Sequence, residues 1–274
     1  MLIAHLTDPH IGLGPGQIEC DIKPVLALRR ALVHVAHLRP APEVLLVSGD
    51  LTDSGHEADY QTIADLLRTQ LPAPAQGGPQ VLMVLGNHDL RAPMLHTLAP
   101  YMPVADDAPE GTMCLHATHG DLHFIGLDTV VPAAPHGTLD AARLQWLERH
   151  LAQAAGQPVV IFMHHPPLVS GMAVMDSHGL LQGRAELGQL VAAHGQVQLI
   201  AAGHMHRAIT GQLGGAPVTV LPSVSHQLAL DLAADGLLAC RMEPAMVGVY
   251  RWTPEDGMAC HYSYVKSFGA PVPI

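Results

Sequence analysis

Five short stretches of this 274-residue chain carry side chains that hold metal ions or move protons. They are Asp8 and His10 in "TDPH", Asp50 and Asp53 in "SGDLTD", Asn87, His88 and Asp89 in "GNHD", His164 and His165 in "MHHPP", and His204 and His206 in "AGHMH". Each follows an apolar run, as "GNHD" follows Val81-Leu82-Met83-Val84-Leu85. Such groups cannot enter an apolar core alone, because an unpaired buried polar group costs roughly 2 kcal/mol or more. Oxygen and imidazole donors without a thiolate suit Zn, Mn, Fe or Co better than an all-oxygen Mg site or a thiolate-rich structural zinc site. Asp8/His10 and His204/His206 are spaced two apart, which on an extended backbone predicts that each pair turns to one side and grips one ion.

Elements must position these groups. Hydrophobic patterning predicts strands near Leu2 to Thr7, Glu43 to Ser48, Val81 to Leu85, Pro158 to Met163 and Val197 to Ala202, apolar enough to be buried on both faces. Helical patterns fall at Lys23 to Leu38, Glu57 to Arg68, Leu139 to Ala154 and Arg184 to His194, and "TMCLHATHGDLHFIGLDT" predicts a hairpin turning at Gly120-Asp121. In open α/β sheets the carboxyl ends of the strands line one edge, where ligands sit, so the five motifs are expected to converge. After Gly203 the pattern changes to short strands broken by Gly and Pro, which predicts a second, mostly antiparallel sheet and hence a layered α/β sandwich.

Composition narrows the partners. A 49% hydrophobic share with 14% charged residues indicates a buried globular core, and 24 acidic against 13 basic residues give a net charge of -11. That balance opposes extended nucleic-acid binding, which needs many phosphate-neutralising cations. It leaves room for a small anion if the carboxylates are collected around metal ions. No stretch approaches the ~20 apolar residues of a membrane span, and "MLIAHLTDPH" lacks a basic segment and cleavage site, so no membrane association and a cytoplasmic location are expected. Cys20, Cys114, Cys240 and Cys260 form no CxxC pair and are expected to be free thiols.

Taken in order, the five motifs resemble the calcineurin-like metallophosphoesterase superfamily, whose blocks are a DxH, a GDxxD, a GNHD/E, a histidine after a strand, and a GHxH. "HHPP", Val174 to Asp176 and "LPSVSHQLALDL" from Leu221 to Leu232 further resemble its bacterial class III cyclic-nucleotide phosphodiesterase and glycerophosphodiesterase branch. The resemblance implies a four-layer αββα sandwich of two mixed sheets flanked by helices. Its domain spans residues 1–235, and strands of 236–274 complete the sandwich or form a cap or oligomer contact.

The same resemblance implies two divalent transition-metal ions, Fe, Mn, Zn or Co. One is held by Asp8, His10, Asp50 and His206, and the other by Asp50, Asn87, His164 and His204, with Asp50 bridging. His165 is left out, since the superfamily uses the first histidine after the strand. His88 falls on the catalytic histidine, which protonates the leaving alkoxide, and Asp53 on the carboxylate that orients it. Asp89 is the rival for that role, or else holds the loop's backbone amides. His226 and Arg207 are candidate substrate contacts, and Arg91 is either a substrate contact or a solvated surface group. His116, His119, His123, His136, His178 and His261 have no motif context and receive no function.

The expected chemistry is attack on a phosphodiester by a hydroxide generated at the metals, with no protein nucleophile. The substrate is expected to be a small soluble diester, either a cyclic nucleotide or a glycerophosphodiester. Alternatives are a phosphomonoesterase or pyrophosphohydrolase on the same site, or an inactive interaction module, which the complete set of motif residues opposes. A protein phosphatase is disfavoured because Ser54, and not Arg, follows Asp53. Relatives of this type commonly assemble, so a homo-oligomer is expected. The pocket for the alcohol is sought around Gly12 to Gln17, Ser170 to Gly183 and the C-terminal tail.

Overall fold

Near-continuous apolar strands need cover on both faces, and the fold supplies it. The computed structural model describes residues 1–14, 20–266, 268–269 and 272. Part of the Gly12 to Gln17 stretch and most of the C-terminal tail therefore lie outside the described residues. In chain order the first strands are β1 (Leu2–Leu6), β2 (Val44–Ser48), β3 (Gln80–Val84), β4 (Leu115–His119) and β5 (Leu122–Leu127). Then come β6 (Gly137–Thr138), β7 (Val159–Met163), β8 (Leu180–Gln182), β9 (Val197–Ala202), β10 (Ile209–Leu213) and β11 (Ala216–Val220). The last are β12 (Gln227–Leu228), β13 (Cys240–Arg241), β14 (Met246–Thr253) and β15 (Gly257–Tyr264). The helices are α1 (Pro24–Ala36), α2 (Glu57–Gln70), α3 (Arg91–Leu98), α4 (Ala141–Gln153), α5 (Ala173–Asp176) and α6 (Arg184–His194).

Two large mixed sheets result, in the orders β15-β14-β1-β2-β3 and β10-β11-β9-β7-β5-β4. In the first sheet β1, β2 and β3 are parallel and β14 and β15 add antiparallel strands along one side, whereas in the second a parallel middle has an antiparallel strand at each edge. Side-chain alternation builds the layers. Ile3, Val44, Leu46 and Val84 of the first sheet meet Phe124, Val160, Phe162 and Leu199 of the second in a closed inter-sheet core. Ala4, Leu45, Val47 and Met83 point the other way, onto Leu28 and Leu32 of α1 and Tyr60 and Ile63 of α2. Ile125, Ile161 and Ile200 do the same for the second sheet, against Trp146 and Leu147 of α4 and Leu187 and Val191 of α6. Three cores separated by two sheets make the four-layer sandwich.

Two sequence expectations are corrected. The strands after Gly203 do not form one second sheet: β10 and β11 extend the second sheet beside β9, β14 crosses to the first and pairs with β1, and only β12 and β13 pair apart as a short ribbon. Apolar runs report burial, but not which strand a segment will pair with. Cys20 and Cys240 are not free thiols but are joined as a disulfide, leaving Cys114 and Cys260 free.

Candidate metal centre

The motif residues stand just beyond the strands, where the backbone turns sharply. Among the described residues, non-glycine positions with left-handed φ are Ala133 and five motif residues, Asp8, His10, Asp50, His204 and His206. Strained backbone of this kind persists where surrounding structure holds it, and it gathers at functional sites. The extended-strand argument for the two-apart pairs therefore does not describe how they are presented. Asp8 and His10 do fall in one donor group with His206, but His204 turns instead to His164 and His165.

Two donor sets meet at one carboxylate. Asp50 Oδ2 lies 3.6 Å from His10 Nε2 and 3.3 Å from His164 Nε2. On the first side, His206 Nε2 is 3.2 Å from His10 Nε2 and 3.3 Å from Asp8 Oδ1. On the other, His164 Nε2 is 3.1 Å from Asn87 Oδ1 and 3.2 Å from His204 Nδ1.

The surroundings assign each atom a task. Asp8 uses Oδ2 to accept from Thr7 Oγ1 and the His204 amide, and Asp50 uses Oδ1 to accept the His88 amide. One oxygen of each is thus left for the cluster. His206 Nδ1–H donates to the His226 carbonyl and His164 Nδ1–H to the Ser48 carbonyl, which fixes the tautomer whose Nε2 lone pair faces inward. Asp8 Oδ1 and His204 Nε2 are buried with no hydrogen-bond partner. A buried carboxylate oxygen without a donor, facing imidazole lone pairs, fits a bound cation, and nitrogen and oxygen donors without thiolate fit a divalent transition metal.

The electrostatics agree. Burial pushes the Asp8 and Asp50 carboxyls up, but the facing histidines, His206 for Asp8 and His164 for Asp50, outweigh it and hold both well below the usual range. Burial drives His204 down to about 3, helped by His164.

The remaining predicted residues have distinct places. His88 is more exposed than the motif residues around it; its Nδ1–H donates to the Asp53 backbone carbonyl at 2.8 Å. Burial lowers its pKa, but Asp50 and Asp53 outweigh that and raise it. The Asp53 carboxylate is 3.8 Å from His88 Nδ1 and 3.5 Å from His10 Nδ1. Asp89 accepts from the amides of Leu51, Thr52 and Gly86 and from Tyr60 Oη, so its carboxylate holds the loop. His226 is buried with its ring 4.5 Å from that of His206 and 5.3 Å from that of His10. Arg207 donates to Glu243 and to the Leu228 carbonyl. Arg91 grips buried Asp128 in a bidentate pair and is therefore not a solvated surface group. His165 has both ring nitrogens engaged, by Thr129 Oγ1 and the Pro135 carbonyl, although it lies in one donor group with His164 and His204.

Sequence reading missed Thr7 and Ser223. Ser223 Oγ donates to the Asp8 carbonyl at 2.6 Å and accepts from the amides of Ser225 and His226, pinning the segment that carries the His226 carbonyl. The "LPSVSHQ" stretch was the available signal, but a serine that braces backbone has no spacing rule.

Two mixed sheets packed between helix layers, with metal donors at the strand ends, define a metallophosphoesterase architecture. The profile of the calcineurin-like phosphoesterase family matches residues 1–208, and the chain belongs to that family. It is 31% identical over 277 residues, covering all of this chain and 97% of the relative, to a protein of Arcobacter nitrofigilis named "Probable glycerophosphodiester phosphodiesterase GpdQ". It is also 31% identical over 237 residues to the cAMP/cGMP dual specificity phosphodiesterase of Mycobacterium tuberculosis, covering 86% of this chain and 71% of that one. Among solved structures, a dimetal phosphatase from Danio rerio shares the fold with a TM-score of 0.62 at 15% identity, over 97% of this chain and 99% of the other.

Proposed function

We propose that this chain is a metal-dependent phosphodiesterase that hydrolyses small diesters, either cyclic nucleotides or glycerophosphodiesters, with two divalent transition ions drawn from Fe, Mn, Zn and Co. The observation that carries the reading is the position of Asp50 Oδ2 between two donor sets, beside the unpartnered Asp8 Oδ1. The names of the relatives support the diester class.

Asp8, His10, Asp50 and His206 would hold one ion, and Asp50, Asn87, His164 and His204 the other. Bound there, the ions would supply charge neutralisation for the phosphoryl group and a water acidic enough to attack near neutral pH. The protein's own residues do the rest. Thr7, Ser48, Ser223 and the His226 carbonyl orient the donors, so the site need not reorganise when a diester arrives. His88, tethered through Nδ1, presents Nε2 to the departing alkoxide and delivers its proton. His226 and Arg207 remain proposed substrate contacts. Arg207 lines a pocket of about 490 Å³ that also reaches His206. A homo-oligomer belongs to the same reading.

The test is a metal-supplemented panel comprising 3′,5′-cyclic AMP, glycerophosphoethanolamine, bis(4-nitrophenyl) phosphate and 4-nitrophenyl phosphate. Diesters are expected to turn over faster than the monoester. A monoester preferred over every diester would move the assignment to the phosphomonoesterase alternative.

A further inference from the structure

Between the first two metal motifs in sequence, α1 carries an exposed face that mixes cations with apolar side chains. Leu28, Ala31, Leu32 and Val35 bury the inner stripe of the helix. The outer stripe consists of Val25, Leu26, Arg29, Arg30, Val33 and His37, all exposed, with no acidic residue in the helix. Val25, Leu26 and Val33 are 46%, 38% and 38% exposed. Beside the stripe runs a groove of about 980 Å³ lined by Leu26, Arg29, Arg30, Val33, Val265 and Lys266, among others.

The charge of this face runs against the rest of the molecule. Of 13 Lys and Arg residues, seven pair with carboxylates: Lys23, Arg68, Arg91, Arg143, Arg149, Arg207 and Arg251. Three of the other six, Arg29, Arg30 and Lys266, meet at this one groove, with no carboxylate partner among the described residues. In a chain of net charge -11, unpaired cations are the side chains least expected to remain so.

We infer that this face of α1 docks the protein on an anionic lipid bilayer surface. A helix that alternates Arg with exposed Val and Leu suits the boundary between headgroups and acyl chains, where the cations meet lipid phosphates and the short apolar side chains enter just below. No described helix is long and apolar enough to span a bilayer, so the attachment is peripheral and reversible. The -11 charge orients the approach, because the remaining surface is repelled by the same anionic leaflet that attracts Arg29, Arg30 and Lys266. Other occupants fit less well. A second copy docked through the same face by two-fold symmetry would gather the Arg29, Arg30 and Lys266 of both copies into one interface with no carboxylate of that face to offset them. A nucleic acid would use the cations and leave Val25, Leu26 and Val33 without a role.

The experiment is co-sedimentation of the intact, metal-loaded protein with vesicles of phosphatidylcholine, with and without phosphatidylglycerol, at low and high salt. Binding is expected only to the anionic vesicles and only at low salt. The double variant Arg29→Glu/Arg30→Glu should bind at least tenfold more weakly, since each cation near such a surface contributes roughly fivefold. Val33→Asp should weaken binding while leaving every cation in place. Both changes lie on solvent-facing positions, and thermal melting checks that the variants stay folded. Equal binding to neutral vesicles, or anionic binding undiminished in the double variant, overturns the inference. So does light scattering that finds a dimer which the double variant dissociates, because the face would then belong to a second copy.

Discussion

His88 is tethered through Asp53, but by the wrong atom for a charge relay: Nδ1–H donates to the Asp53 backbone carbonyl at 2.8 Å, while the carboxylate stands 3.8 Å away. The carboxylate is nearer His10 Nδ1, at 3.5 Å. Asp53 therefore bonds His88 through its backbone while its carboxylate faces His10 Nδ1 without a hydrogen bond, and substitution should separate the two contributions.

Asp53→Asn keeps the carbonyl and removes the charge beside His10. Metal affinity should fall roughly 10- to 100-fold, the usual cost of losing a partner behind a ligating histidine, with kcat at saturating metal changed much less. Calorimetric titration with Mn²⁺ beside steady-state kinetics distinguishes the two. A large kcat loss at unchanged affinity would return the orienting role to the carboxylate.

His88→Ala should leave the metal content intact and slow an alkyl diester by roughly 10² to 10⁴, with a smaller effect on bis(4-nitrophenyl) phosphate, whose leaving group departs without a proton. Elemental analysis and kcat for both substrates check it. Equal slowing of both, with chemistry rate-limiting, would falsify the general-acid role.

Asn87→Ala removes an oxygen 3.1 Å from His164 Nε2. Metal content should drop from two ions toward one per chain, and all substrates should suffer together. Retention of two ions by mass spectrometry under native conditions would remove Asn87 from the ligand set.

Gly203 packs against the first motif, and a Cβ built there would strike Thr7 Oγ1 and lie 2.6 Å from Asp8 Oδ2. Gly203→Ala should destabilise the chain by about 1 to 3 kcal/mol and weaken metal binding, since the strain falls on the hydrogen bond that orients Asp8. Gly179→Ala, whose Cβ would meet nothing nearer than 3.4 Å, is the neutral control. Urea melts and metal titrations of both variants decide the matter.

Acid should loosen the outer side of the second sheet. His116 bonds to both His150 and His123, and His150 bonds to Asp107. Burial, reinforced by His150 and His123 and opposed by Asp107, pushes His116 down from 6.5 to about 4. The unfolded chain then binds the proton first, so stability is full above pH 6.5 and declines as pH falls toward 4. Buried His5, pushed down to about 3 by burial against the pull of Asp8, acts with the same sign. Melting temperature followed from pH 7 to 4 should fall, and less steeply in His116→Gln; identical slopes would exclude His116 as a contributor.

The donors were legible in sequence because each is tied to its own strand end, a local relation that an apolar run and the next few residues express. What lay beyond reach was non-local or carried by backbone. Nothing in "MVGVYRWT" announces pairing with β1, and disulfide connectivity between Cys20 and Cys240 leaves no spacing signature. Spacing alone would put His204 and His206 on one ion, whereas the family resemblance divides them between two; left-handed backbone at both turns them to different donor groups. The carbonyls of Asp53, Ser48 and His226 that orient three of the histidines belong to every residue type alike, so no code could have named them.

The pairing of β1 with β14 has a consequence for the order of assembly. Leu2 lies opposite Arg251 and His5 opposite Gly248, so the strand that delivers Asp8 and His10 gains its second neighbour only near the end of the chain. Residues synthesised first are thus among the last to be fixed, since a segment emerging from the ribosome must wait for a partner some 245 residues behind it. A nascent chain halted after β11 would carry all five motifs and still have its first strand open along one edge.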